Sequence, residues 1–384
     1  VAQQYGLRAW LILLLRIALV AAILEGGTRL LFGVKGYFDR DLPECYTYST
    51  VRCRVTTFNE ELGEVVIFAG PAGISLAPNF HGEWVTTNAQ GLRDPDDTQL
   101  LKAPGTLRIV TIGASGMWGA YVHDDETIPY YLEQELSSRT TQPVEVINAA
   151  IPGAVSFQEL IHLQAVVLPL QPDLVVIYDG RNDLYFANSP KWSPLLTPAS
   201  LNALDAQTRR QQGDTGPLGN ELWQVVVRYS KFFNTLDLMF RVIQAGQQNN
   251  STGAAIATDH PEAVAAYADH LGLMAQTLQA NHIPAIFVLQ PILWANAKPI
   301  NPEEQVIIDR AGSAYQSILK LYPQAQAAIK TLGEQYDVPA LDYTGIFADY
   351  TERMYLDEVH PTPAGNRLIA QQLAQDIVET LAIK

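Results

Sequence analysis

Cysteine is almost absent: Cys45 and Cys53 are the only two in 384 residues. That excludes a scaffold stapled by several bridges and a four-thiolate zinc site. The pair lies close together, so it is either a single candidate disulfide, worth about 2.5 kcal/mol of lost unfolded-state freedom, or two unrelated thiols. Charged residues are also sparse, at 17%, and basic ones are outnumbered 25 to 40, giving a formal charge of −15. Such a surface repels a phosphate backbone, so nucleic acid is not an expected partner. No His-Glu-x-x-His or comparable ligand cluster occurs, and no metal is expected. Internal repeats and low-complexity tracts are missing too.

What is present is apolar: 48% of the chain, enough for one large core and a smaller appended region. The densest apolar run opens the chain. From Trp10 to Phe32 a helix would reach roughly 34 Å, against a hydrocarbon core of about 30 Å. Arg16 opposes insertion by about 2.5 to 3.5 kcal/mol, whereas each surrounding Leu, Ile or Val returns roughly 0.3 to 0.6, so the balance favours it. Residues 1–35 are therefore expected to be a single-pass membrane anchor. A cleaved signal peptide ending near Val20-Ala21-Ala22 and a buried helix are the competing readings. The basic residues flanking the run do not settle orientation, but a disulfide just beyond it favours placing the domain that follows outside the cytoplasm.

Residues 36–106 show no helical period but carry β-like pieces, Glu64 to Phe68 and Glu83 to Thr87, between Gly, Pro and Asn turns, and read as a small β-rich juxtamembrane region. From Leu107 strands alternate with helices, which predicts an α/β domain over 107–384 with a parallel sheet covered on both faces. Strands are expected at Leu107 to Gly113, Val144 to Asn148, Asp173 to Tyr178, Ile283 to Leu289 and Ala340 to Tyr343. Helices are expected at Thr127 to Leu136, Ser156 to Leu168 and Pro363 to Ile383. An insertion of about 185–264 carries an apolar stripe (Leu222, Val226, Tyr229, Phe233, Leu236, Phe240, Ile243) that either packs on the domain or covers the site as a lid.

Four loops hold the residues suited to chemistry. The first strand runs into Gly113-Ala-Ser115-Gly, where a serine on a tight strand-to-helix turn is either a nucleophile or a helix cap. The Gly-x-x-Gly-x-x-Gly spacing also suggests a dinucleotide loop, but the second strand ends in Asn148-Ala-Ala with no acidic residue for a ribose. The second strand leads to Gly153, and the third to Gly180-Arg-Asn182-Asp183. A Gly N–H and an Asn amide can stabilise a developing oxyanion, although both residue types also suit plain turns. Asp357-Glu-Val-His360 precedes the last helix and offers a base beside a carboxylate that would fix its tautomer. In a doubly wound sheet these loops meet at the carboxyl edge of the strands.

Taken in order, the four blocks resemble those of the SGNH/GDSL-type serine esterases and acylhydrolases. The resemblance implies a flavodoxin-like doubly wound sheet, Ser115 as nucleophile and oxyanion donor, Gly153 and Asn182 as further donors, His360 as base and Asp357 as its partner. It implies no cofactor. The family usually has Asp just before the serine where this chain has Ala114, and Tyr178-Asp179 with Arg181 resembles membrane-tethered bacterial members. An α/β-hydrolase elbow would need Gly at Met117. The function implied is hydrolysis of a small-molecule, lipid or glycan ester. O-acyl transfer to envelope glycans, or binding without catalysis, would use the same residues.

Overall fold

Runs of β-branched and aliphatic residues supply five strands: β1 Leu107–Gly113, β2 Val144–Asn148, β3 Leu174–Asp179, β4 Ala285–Leu289 and β5 Ala340–Asp342. In the computed structural model they form one parallel sheet of order β2-β1-β3-β4-β5. The structure describes residues 16, 19–30, 55–187, 262–295, 297–309 and 313–381. Every residue of β1, β3 and β4 is buried, as a sheet covered on both faces requires.

The described helices are α1 Val55–Val65, α2 Ser115–Trp118, α3 Ile128–Ser137, α4 Ser156–His162, α5 Arg181–Phe186, α6 Glu262–Ala280, α7 Pro302–Asp309, α8 Ser313–Tyr336 and α9 Pro363–Leu381. Period-two alternation divides the core. Ile109, Val176 and Ile286 pack with residues of α3 and α9 on one face, while Val110, Ile177 and Phe287 pack with residues of α4, α6 and α8 on the other.

Helix and strand limits follow local chemistry. Thr127 caps α3, its hydroxyl accepting the Tyr130 N–H at 3.3 Å. β4 starts at Ala285, not Ile283, because Pro284 has no N–H to join the ladder. The helix expected over Ser156 to Leu168 is α-helical only to His162. It continues as a π-turn over Leu163–Val167 and a 3-10 turn over Leu168–Leu170, where Pro169 again removes a donor.

The largest departure lies in residues 55–106. Where no helical period was expected, α1 forms and buries Phe58 and Val65 in the core beside β1. Phe58, Leu62 and Val65 do recur at helical spacing, a signal hidden by the Gly and Glu around them. Strand content is small: Val66–Ile67 pairs with Ser75–Leu76, and Glu83 to Thr87 contributes only the bridge of His81 with Thr86. The Glu61 carboxylate accepts the N–H groups of Glu83, Trp84 and Val85 at 2.5, 3.0 and 3.3 Å. Donors that a strand would have placed in a ladder are thereby used by a side chain.

The chain divides into two units, one comprising residues 1–43, 52–54 and 195–256. Of that unit only residues 16 and 19–30 are described, and they are helical. Among the described residues no helix is long and apolar enough to cross a membrane. Most of the expected span from Trp10 to Phe32, both cysteines and the apolar stripe from Leu222 to Ile243 lie outside the described residues.

Candidate active site

The strand order reverses beside β1, whose neighbours are β2 and β3, and that switch point is where ligands of open α/β sheets bind. Gly113 stands opposite Tyr178 in register, so the loops after β1 and β3 begin side by side. A Cβ on Gly113 would lie 2.3 Å from the Tyr178 carbonyl oxygen, and one on Gly180, at φ +124°, 2.5 Å from Leu289 Cδ1. At Gly113 the backbone oxygen leaves no room for a side chain, and at Gly180 the positive φ favours glycine.

Ala114 is extended and buried, and Ser115 starts α2 directly after it. The Ser115 hydroxyl lies 2.8 Å from His360 Nε2, and His360 Nδ1 lies 2.7 Å from Asp357 Oδ2. An ionised carboxylate only accepts, so Nδ1 carries the proton and Nε2 is left to accept the serine hydroxyl. Asp357 Oδ1 accepts the N–H groups of Val359 and His360, both at 2.9 Å. The loop is closed by Leu356 N–H on the His360 carbonyl at 2.7 Å and by the bridge of Tyr355 with Pro361. Arg181 reaches across from α5 to Glu358 at 2.9 Å, and the Tyr121 ring stands edge-on to His360 with centroids 5.2 Å apart.

Burial alone would raise the Asp357 carboxyl. The His360 charge and hydrogen bond and the two backbone donors outweigh it and hold the carboxyl below its ordinary value. A depressed folded-state value stabilises the fold above the unfolded pKa of about 3.9 and is lost as pH falls through the folded value. Thermal stability of the wild type should therefore fall more steeply below about pH 4 than that of Asp357→Asn, in melts followed by circular dichroism.

The loops after β2 and β3 join the same edge. Ile151 donates to the Gly113 carbonyl at 3.0 Å, and Asn148 Nδ2 to that of Trp118 at 3.1 Å. Gly153 is exposed at φ +80° with open space on its Cβ side, and Asn182 Nδ2 donates to Ala154 at 2.8 Å. The Gly153 and Asn182 loops are thus tied to each other, and the Gly153 loop is tied to α2. Among the described residues no group of three His, Cys, Asp or Glu side chains is arranged to hold a metal.

Arg93 was not foreseen. It is buried, and its N–H groups reach Asp124 at 2.8 Å and the carbonyls of Trp118, Gly119, Trp84 and Val122 at 3.0, 2.6, 3.0 and 2.8 Å. Its guanidinium lies 4.5 Å over the Trp118 ring. Burial lowers its pKa, opposed by Asp124. Arg93 thus fastens the carbonyl end of the serine helix to the segment before β1. The available signal was Asn88-Ala-Gln-Gly91-Leu-Arg93: the Asn88 side chain accepts the N–H groups of Gln90 and Leu92, both at 3.0 Å, and shapes the turn that delivers the arginine. Arg93→Met should lower unfolding free energy by at least about 3 kcal/mol, since several carbonyls lose their donor. Arg93→Lys should restore little, because an ammonium cannot reproduce the planar fork; urea titration measures both.

A hydroxyl held by an imidazole that is itself held by a carboxylate, at the switch point of a doubly wound sheet, is the arrangement that serine hydrolases of α/β fold use. Residues 111–368 match the GDSL-like Lipase/Acylhydrolase family, and the chain belongs to that family. No curated protein matches the chain. Among solved structures, an acetyl xylan esterase, AlAXEase, is 14% identical over 70% of this chain and 99% of its own, with a TM-score of 0.41. An acetyl-xylooligosaccharide esterase from Geobacillus Stearmophilus is 12% identical over 72% and 94%, with a TM-score of 0.41. A lipase/acylhydrolase from Enterococcus faecalis is 17% identical over 70% and 94%, with a TM-score of 0.39.

Proposed function

We propose that the protein is a serine esterase that cleaves carboxylic esters through an acyl-enzyme. The observation that carries the reading is the continuous contact from the Ser115 hydroxyl through His360 to Asp357, at 2.8 and 2.7 Å. Ser115 attacks the ester carbonyl while His360 takes its proton. The oxyanion is stabilised by the N–H groups of Ser115 and Gly153 and by the Asn182 amide. His360 then protonates the departing alcohol, and water activated by the same imidazole releases the acid. No step calls on a cofactor.

A fluorophosphonate should label Ser115 in the folded wild type and not in Ser115→Ala. A panel of esters varied in acyl length and alcohol, run with the same control, then assigns the substrate class. Failure to label Ser115 in the folded protein would refute the reading.

The location belongs to the same proposal. Residues 1–35 act as a single-pass anchor, residues 36–106 follow it, and the catalytic domain over 107–384 stands outside the cytoplasm, where Cys45 and Cys53 can pair. Support comes from the apolar run and from its described portion, where Leu19, Ile23 and Leu30 are 61%, 63% and 69% exposed on a helix. Carbonate washing of membranes should leave the full-length protein in the pellet; its release would refute the anchor.

A further inference from the structure

Behind the turn that carries Asn182 lie three neighbouring carboxyl groups, with Asp179 at the end of β3 in hydrogen-bond reach of both Glu159 of α4 and Asp183 of α5. All are buried, at 2%, 1% and 9% exposure. Their donors are unequally shared. Asp183 accepts both the N–H and the hydroxyl of Ser156, at 3.0 and 2.6 Å. That hydroxyl therefore meets His270 Nδ1, 2.8 Å away, as an acceptor. No side-chain donor reaches either oxygen of Glu159 or of Asp179, and the Gly180 N–H faces Asp179.

Two buried carboxylates in contact oppose being ionised together, because like charges repel and neither has water or a side-chain donor to offset the burial. A single proton held between them satisfies one oxygen of each.

We propose that Glu159 and Asp179 share a proton and that this pair is a positioning device for the turn Gly180-Arg181-Asn182, which carries an oxyanion donor. Asp179 is the last residue of its strand, so the pair holds the start of the turn while the Asn182 side chain is tied to Ala154. The other titratable groups facing the cluster are Asp183 and Arg181 from α5, Tyr267 and His270 from α6 and Tyr322 from α8. None of them donates to the pair, and Tyr322 gives its proton to the Gln290 carbonyl. Burial first, and the neighbouring carboxyls second, raise both Glu159 and Asp179 well above the ordinary carboxyl range, which favours the protonated pair at neutral pH.

This inference rests on the esterase reading for its catalytic consequence, but its first test does not. Infrared spectra of the full-length wild type at neutral pH should show a protonated carboxylic-acid C=O band that shifts in deuterium oxide and disappears in both Glu159→Gln and Asp179→Asn. Absence of the band in the wild type overturns the proposal without any variant having to fold.

The second test is ester turnover. Glu159→Ala, which removes the partner with which Asp179 shares the proton, should lower kcat by roughly 100-fold through misplacement of the turn, with KM changed far less. Glu159→Gln should recover kcat, since its amide N–H replaces the shared proton, and should remove the alkaline fall of the kcat profile that comes from losing that proton. If folded Glu159→Ala and Glu159→Gln keep the wild-type kcat and pH profile, the positioning role is wrong. If the band is present but fluorophosphonate does not label Ser115, the shared proton stands and the esterase reading falls.

Discussion

Ser115→Ala is expected to lower kcat for ester hydrolysis by about 10⁶-fold, and His360→Ala by a similar amount, with Asp357→Ala falling nearer 10⁴-fold. The order follows from the contacts. Without the hydroxyl there is no nucleophile, and without the imidazole the proton of a serine 2.8 Å away has no acceptor. Asp357 acts through His360, fixing the tautomer at 2.7 Å, so its loss leaves a base that is less often correctly presented. Because the groups act as one unit, the double variant Ser115→Ala/His360→Ala should be no slower than either single one. Initial rates on a chromogenic ester, with circular dichroism to establish folding, measure all four. A multiplicative double variant would mean that the two residues do not work on the same step.

Asn182→Ala should lower kcat by about 10²- to 10³-fold, equivalent to about 2.7 to 4 kcal/mol of lost oxyanion stabilisation. KM should change much less, because in the proposed mechanism the donor meets charge that develops only in the transition state. Asn182 Nδ2 has two protons, of which one goes to Ala154 at 2.8 Å, so one remains for substrate. Fluorophosphonate labelling of this variant should be slowed along with turnover, since phosphonylation also builds charge on an oxygen. A drop confined to KM would show that Asn182 binds the ground state instead.

Much of the site could be read from residue order because each element announces itself locally. A buried strand ending in Gly113, a serine at the next turn, and Asp357 three residues before His360 are short-range patterns. The parallel sheet was legible for the same reason, since continuous apolar runs such as Leu174 to Tyr178 suit strands covered on both faces. The segment before β1 was misread. Among the described side chains its helix shows the apolar repeat Phe58, Leu62 and Val65, and the strand-like Glu83 to Thr87 loses its ladder donors to Glu61, 22 residues earlier. Local propensity has no means of registering such a competitor.

Residue order alone decided which side chains this protein has for chemistry and which sheet they ride on, because apolar periodicity and turn residues act over a few neighbours. The folded chain decided the rest. Arg93 clasps carbonyls 25 and 26 positions away, and Glu159 and Asp179 meet with no side-chain donor between them. Burial turns an ordinary arginine into a clamp and two ordinary acids into a pair that needs one proton. Burial arises from packing between distant segments, so the local turn from Asn88 to Arg93 could mark the arginine but not the partners it would meet.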